Sequence, residues 1–121
     1  MTAAVQVFGA DGRMVCESCE VASSPAARLL GLMGRRSLAR GRGLLLPRTG
    51  AVHTAFVRFP LDLVFLDREQ RVVRVSPSVN PFRVAFKLGA RQVLELPGGE
   101  ASRAGITPGS QLRFAREHTS G

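Results

Sequence analysis

Short apolar runs, broken every few residues by glycine, proline and polar turns, dominate the pattern along this chain. Val5, Val7 and Phe8 open the first run. Gly9-Ala10-Asp11-Gly12 follows with turn chemistry, because glycine and aspartate tolerate positive φ. Residues 13–22 read as the return strand, with Met14, Cys16 and Val21 toward the core, so the two runs predict a β-hairpin. Ser23-Ser24-Pro25 is a helix start: Ser24 can accept from free amides and Pro25 suits the first helical position. Leu29, Leu32 and Met33 share one face of that helix, and Gly34 suits its end. Gly31 inside it costs about 1 kcal/mol of propensity relative to alanine, which points to a close neighbour that needs the missing Cβ.

The remaining pattern predicts mostly strands. Residues 37–42 form a basic loop, and Leu44-Leu45-Leu46 is an apolar run stopped by Pro47. Residues 51–59 read as a strand or extended segment, which Pro60 limits to a sheet edge or a break. Residues 61–66 and 71–75 form the clearest hairpin. Asp67-Arg68-Glu69-Gln70 joins them, and Val72, Val73 and Val75 supply β-branched side chains. Residues 76–81 read as a loop with two prolines, Val84 and Phe86 as a short extended stretch, and residues 92–96 as a strand closed by Pro97-Gly98-Gly99. Residues 100–104 make one helical turn with Gly105 as a left-handed cap. Residues 111–115 form the last strand.

The whole predicts a single α+β domain over residues 1–115, with residues 116–121 as a flexible tail. Its framework is mainly an antiparallel β-sheet with two short helices, able to curl into a small barrel that hides its edges.

Composition adds a partner question. The chain has 121 residues, 45% of them hydrophobic, enough for one domain with its own core. Seventeen Lys+Arg against nine Asp+Glu give a formal charge of +8, and Lys87 is the one lysine. Such a surface attracts anions: a ligand, an acidic protein partner or nucleic acid. Arg35, Arg36, Arg40, Arg42 and Arg48 form the densest basic stretch. Nucleic acid is the weaker reading, because tyrosine and tryptophan are absent and Phe56, Phe59 and Phe65 lie in apolar, core-like runs. No run reaches the ~18 apolar residues that a membrane span needs, and the start lacks the basic and apolar regions of a signal peptide. A cytoplasmic protein is expected, with oligomeric state open.

Four stretches taken together carry a family resemblance. They are Leu30-Gly31-Leu32-Met33-Gly34-Arg35, Gly43-Leu44-Leu45-Leu46-Pro47, the run from Val52 through Pro60-Leu61-Asp62 to Asp67, and Val93-Leu94-Glu95-Leu96-Pro97-Gly98-Gly99 continuing to Gly109. Their order and spacing resemble the domain of unknown function family 192. The resemblance implies a compact, mostly β fold and implies no reaction. Two positions depart from the family pattern: Ala55 and Val57 are small before Pro60-Leu61-Asp62, and Ser110 follows Gly109 where the family usually has aspartate.

Five polar residues within these motifs stand among apolar neighbours: Arg35, His53, Arg58, Asp62 and Glu95. They define the candidate ligand-binding set for a small binding or accessory domain, with the arginines meeting an anionic group. An alternative is a small hydrolase or isomerase, with His53 as general acid or base and Asp62 or Glu95 orienting it. Each residue also has a structural reading. His53 can bond a nearby carbonyl. Asp62 can cap a turn through backbone amides or pair with Arg58 or Arg35. Glu95 points away from Leu94 and Leu96, toward solvent or, in a closed barrel, a cleft.

No cofactor and no metal are expected. Cys16-Glu17-Ser18-Cys19 has C-x-x-C spacing, but on a regular strand residues i and i+3 are ~10 Å apart on opposite faces. One thiol would then be buried and one on the surface. Only a bulge or turn at Glu17-Ser18 would bring them together, and zinc would need His53 and His118 as well. Phosphate-loop, dinucleotide-binding and Gly-x-Ser-x-Gly motifs are absent, which argues against common nucleotide folds and the commonest hydrolase signature.

Overall fold

The structure is a computed structural model in which residues 4–22, 24, 37–55 and 57–116 are described. The helix predicted between Ser24 and Gly34 lies outside the described residues, as do Arg35, Phe56, His118 and most of the predicted tail.

Among the described residues nine strands form, in chain order: β1 (Ala4–Gly9), β2 (Met14–Val21), β3 (Arg42–Pro47), β4 (Ala51–His53), β5 (Leu61–Leu66), β6 (Val72–Val79), β7 (Val84–Phe86), β8 (Gln92–Pro97) and β9 (Leu112–Arg116). One short helix, α1 (Glu100–Arg103), is present among the described residues. The fold is therefore mostly β, and of the two helices expected, this turn is the one described.

Seven strands build one sheet in the order β6-β5-β8-β3-β2-β1-β9, and β4 pairs with β7 in a separate two-stranded ribbon. Neighbours are antiparallel except β2 and β3, which run parallel. A parallel pair needs a crossover of a dozen or more residues, and residues 22–41 supply it. The sheet curls until its two outer strands meet at one end. There Arg71 bridges Gln111. The amides of Val72, Gly109 and Leu112 donate to Ser110, Val72 and Gln70 at 2.8, 2.7 and 3.0 Å. The result is a half-barrel closed at that end, which removes part of the exposed edge.

Both faces of the sheet are buried at its centre. Val64, Leu66, Leu94 and Leu96 point to the inside of the curl, with Val7, Cys16, Cys19, Ala101, Ile106 and Leu112. Leu61, Leu63, Phe65 and Val93 point to the other side, where Val52 and Ala85 of the ribbon cover them. All six residues of β5 are buried for this reason. A fully buried leucine or phenylalanine is worth about 1.5–3 kcal/mol, so these two layers hold the ribbon and the sheet together.

Three local expectations change. Strand β6 runs on to Val79 through Ser76, Pro77 and Ser78, which the sequence suggested as loop. It is an outer strand, so the missing amide of Pro77 leaves no ladder bond unmade there. The extended segment from residue 51 stops at His53, because Thr54 turns the chain: its carbonyl accepts from the amides of Val57 and Phe82 at 3.2 and 3.1 Å. Gly43 lies inside β3, not in a loop. A Cβ there would come within 2.9 Å of the Glu95 carbonyl oxygen and 3.0 Å of the Cys16 sulfur, so glycine is what lets β3 and β8 approach.

Candidate functional site

Asp62 is fully buried on β5 and faces the inside of the curl. Its Oδ1 accepts from the amides of Ser78 (2.8 Å) and Gly99 (3.1 Å). Its Oδ2 accepts from Gly99 (3.1 Å) and Ala101 (2.8 Å). Helix α1 has no side-chain cap of its own at Gly99, so Asp62 caps it from across the fold. The same carboxylate holds Ser78 at φ 47 and Gly99 at φ 93. Charge-assisted bonds to several amides are among the stronger ones in proteins, and here they are spent on joining β5, β6 and α1.

Glu95 is also buried, at 3% exposure, but on the opposite face of the sheet. Side chains alternate along a strand, and Glu95 takes the Val93 side while Leu94 and Leu96 point inward. Glu95 does not face solvent, because its side of the sheet is the one that carries the second apolar cluster, with Leu44, Leu63 and Val93. Its rung also carries Leu44, Leu63 and Ser76, and the buried Ser76 hydroxyl has no hydrogen-bond partner.

His53 is half-buried on β4, and its Nδ1 accepts from the Ala55 amide at 3.3 Å. That bond puts the neutral ring's proton on Nε2. Among the described residues no carboxylate forms an ion pair with His53, and Asp62 is committed elsewhere. Arg58 is exposed. The five expected residues therefore do not form one cluster: Asp62 and Glu95 face opposite ways, and Arg35 lies outside the described residues.

The C-x-x-C segment is not a regular strand. The amides of Glu17 and Ser18 both donate to the Gly41 carbonyl, at 2.9 and 3.0 Å. Val5 pairs with Cys19 while Val7 pairs with Cys16, so β2 carries one extra residue there. This bulge turns both thiols into the same core, where they are buried and not joined in a disulfide. The hydrogen bond with Cys16, and then burial, push the Cys19 thiol far above its ordinary range. A thiol so protonated is a poor nucleophile and a poor metal ligand. No group of three or more His, Cys, Asp or Glu able to hold a metal occurs among the described residues.

Two clefts among the described residues are each lined by three arginines. One, of about 410 Å³, is lined by Arg13, Arg40 and Arg103 together with Glu17 and Glu100. Its arginines already meet carboxylates: Arg40 and Arg103 bond Glu100 at 3.1 and 3.3 Å, and Arg13 pairs with Asp11 at 3.7 Å.

The other, of about 440 Å³, is lined by Arg48, Thr49, Gly50, Arg68, Ala90 and Arg91, with no carboxylate. Its three arginines come from three separate turns. Arg48 sits at φ 53 after β3, a conformation few non-glycine residues adopt. Arg68 lies in the β5–β6 turn. That turn is fixed by the Asp67 carboxylate, which accepts from the amides of Glu69 and Arg71 at 2.9 Å each. Arg91 is locked by its amide on Leu66 (2.8 Å) and its carbonyl on Thr49 (3.0 Å). Gly50 packs so close that a Cβ would stand 3.2 Å from the Ala90 carbonyl. Sequence reasoning noticed Arg48 as one basic residue among several. It had no signal for the convergence, because the three turns are adjacent only in the fold.

No helix of the structure is long and apolar enough to cross a membrane, among the described residues. No curated protein matches the chain. Two solved structures are similar across most of it. One is a "putative transcription regulator" of Sinorhizobium meliloti 1021, 26% identical, covering 94% of both chains with a TM-score of 0.82. The other is a protein of unknown function from Novosphingobium aromaticivorans DSM 12444. It is 28% identical and covers 93% of this chain and 84% of its own, with a TM-score of 0.79. The profile of DUF192 (Uncharacterized ACR) matches residues 7–114, nearly the whole described fold, and the chain belongs to that family.

Proposed function

We propose that this protein is a small binding domain that recognises an anionic group in the cleft of Arg48, Arg68 and Arg91. One observation carries the reading: three arginines from separate turns line a cleft of about 440 Å³ that, among the described residues, no carboxylate lines. Like charges gathered this way repel one another, and a bound phosphate or carboxylate relieves that repulsion. Arginine's planar fork suits such groups through paired N–H donors. The rigid turns reduce the ordering that binding would otherwise require.

The reading keeps the anionic ligand inferred from the sequence and moves its weight to the turns. Asp62 is the reason: its oxygens already accept four amide bonds.

The test is a ¹H–¹⁵N NMR titration at low salt with inorganic phosphate, sugar phosphates, nucleotides and a short DNA duplex. Phosphate-bearing small molecules are expected to shift the amides of Thr49, Gly50, Ala90 and Arg91. The R48A/R68A/R91A variant should lose those shifts while keeping its fold. Absence of shifts at these amides with every anion tested would end the proposal. The duplex is included because one structural relative is described as a transcription regulator. Shifts scattered over many arginines, with affinity falling steeply in salt, would support the nucleic-acid reading instead.

A further inference from the structure

The β4–β7 ribbon has a buried side and an outer side. Val52 and Ala85 pack inward, whereas Phe82, Val84, Phe86 and Leu88 are 66%, 74%, 59% and 85% exposed. Val84 and Phe86 alternate with the buried Ala85 on β7 and so share its outer side, and Phe82 and Leu88 flank the strand at its two ends. Met14 is the one other exposed large apolar residue among those described. Exposure this high means that the side chains form a projecting ridge and do not line a groove.

The ridge is built at a cost. Phe82 stands at φ 63, a strained conformation for a bulky residue. Thr54, 1% exposed, holds it there. The Thr54 carbonyl accepts from the Phe82 amide at 3.1 Å. Its hydroxyl accepts from the Arg83 amide at 2.8 Å and donates to the Asn80 carbonyl at 2.7 Å.

The ridge segment itself carries charge of one sign: residues 79–90 contain Arg83 and Lys87 and no Asp or Glu. Arg83 and Lys87 are exposed within the ridge segment itself.

We propose that this ridge docks on an anionic phospholipid surface. Phe82, Val84, Phe86 and Leu88 enter the boundary between headgroups and acyl chains, and Arg83 and Lys87 rest against lipid phosphates. Apolar side chains beside cations are the pattern that holds peripheral proteins on such surfaces. Valine and leucine offer no stacking face to nucleic-acid bases, and a convex ridge offers no groove to a peptide. The ridge is independent of the arginine cleft, so the two can fail separately.

The experiment is co-sedimentation of the full chain with vesicles of phosphatidylglycerol and phosphatidylcholine, and with phosphatidylcholine alone. The expected result is binding to the anionic vesicles, weak binding to the neutral ones, and a loss of about tenfold or more in F82S/F86S, from the apolar area removed. That variant keeps the net charge, so it separates insertion from attraction. R48A/R68A/R91A should retain the vesicle dependence on Phe82 and Phe86. A second measurement uses the unaltered protein: lipids carrying a nitroxide should broaden the methyl signals of Val84 and Leu88 ahead of those of the buried Val64 and Leu94. The proposal is overturned by no binding to anionic vesicles at low salt, or by equal binding of F82S/F86S. A dimer in light scattering that F82S/F86S dissociates would also overturn it, because a second copy would then be what covers the ridge.

Discussion

Asp62 and Thr54 are buried polar residues whose hydrogen bonds all go to backbone, whereas Arg48, Arg68 and Arg91 are exposed cations on a cleft whose described lining includes no carboxylate. The first pair fixes conformations: a helix start, an outer strand and three positive-φ residues, Ser78, Phe82 and Gly99. The second set is displayed by turns already fixed by other bonds. A polar residue inside a motif can thus be a fold determinant, while the groups free to meet a ligand sit in turns that no single motif marks. Burial separates the two roles, because an unmet buried acceptor or donor is costly and an exposed arginine is not.

The sharpest way to break this comparison is Asp62→Ala. It leaves the amides of Ser78, Gly99 and Ala101 without their acceptor in a dry site, and should destabilise the fold by about 3–5 kcal/mol. Urea unfolding followed by circular dichroism measures it. A loss near zero would mean that Asp62 is available for a ligand after all. Gly43→Ala should cost about 2 kcal/mol by the same measurement, because the added methyl overlaps the Glu95 carbonyl and the Cys16 sulfur. Thr54→Val keeps the shape and removes the hydroxyl, at about 1–2 kcal/mol, with Thr54→Ser restoring most of it. The R48A/R68A/R91A variant should lie within about 0.5 kcal/mol of the parent chain, as for surface residues without structural partners. A large loss there would make the arginines structural and collapse the distinction.

Acid–base behaviour sharpens the same contrast in the core. Cys19 keeps its proton in the folded chain beyond the pH at which an unfolded thiol releases it. Only the unfolded state gains by ionising, so stability should decline as pH rises above 9.0, the ordinary thiol value, and be unaffected by this group below it. Cys19→Ala should flatten that decline in unfolding curves taken between pH 8 and 10.5.

The hairpins were legible because alternation and turn residues are local signals. The β5–β6 pairing shows this, with Asp67 and Gln70 at the turn and valines beyond it. What stayed hidden depended on distant neighbours. Strand β6 continues through Pro77 because it lies on the outside of the sheet. Glu95 is buried because its side of the sheet carries a second apolar layer drawn from elements far apart in the chain. Both cysteines face inward because Gly41 accepts two successive amides of β2. In each case the deciding group belongs to another element, and no window of sequence contains both. For the proposed site, the excess of arginine was legible in the composition, but which arginines share a cleft depended on three turns being brought side by side.

The pairing of β1 with β9 places Val5 opposite Arg116. Every rung of that ladder joins residues roughly a hundred positions apart, so a large loop must close before it contributes anything. Folding of this chain should accordingly be slow for its size, on the millisecond-to-second scale of proteins dominated by distant contacts. During synthesis, β1 cannot find its outer neighbour until nearly the last strand has emerged, and until then β1 presents an open edge to other chains.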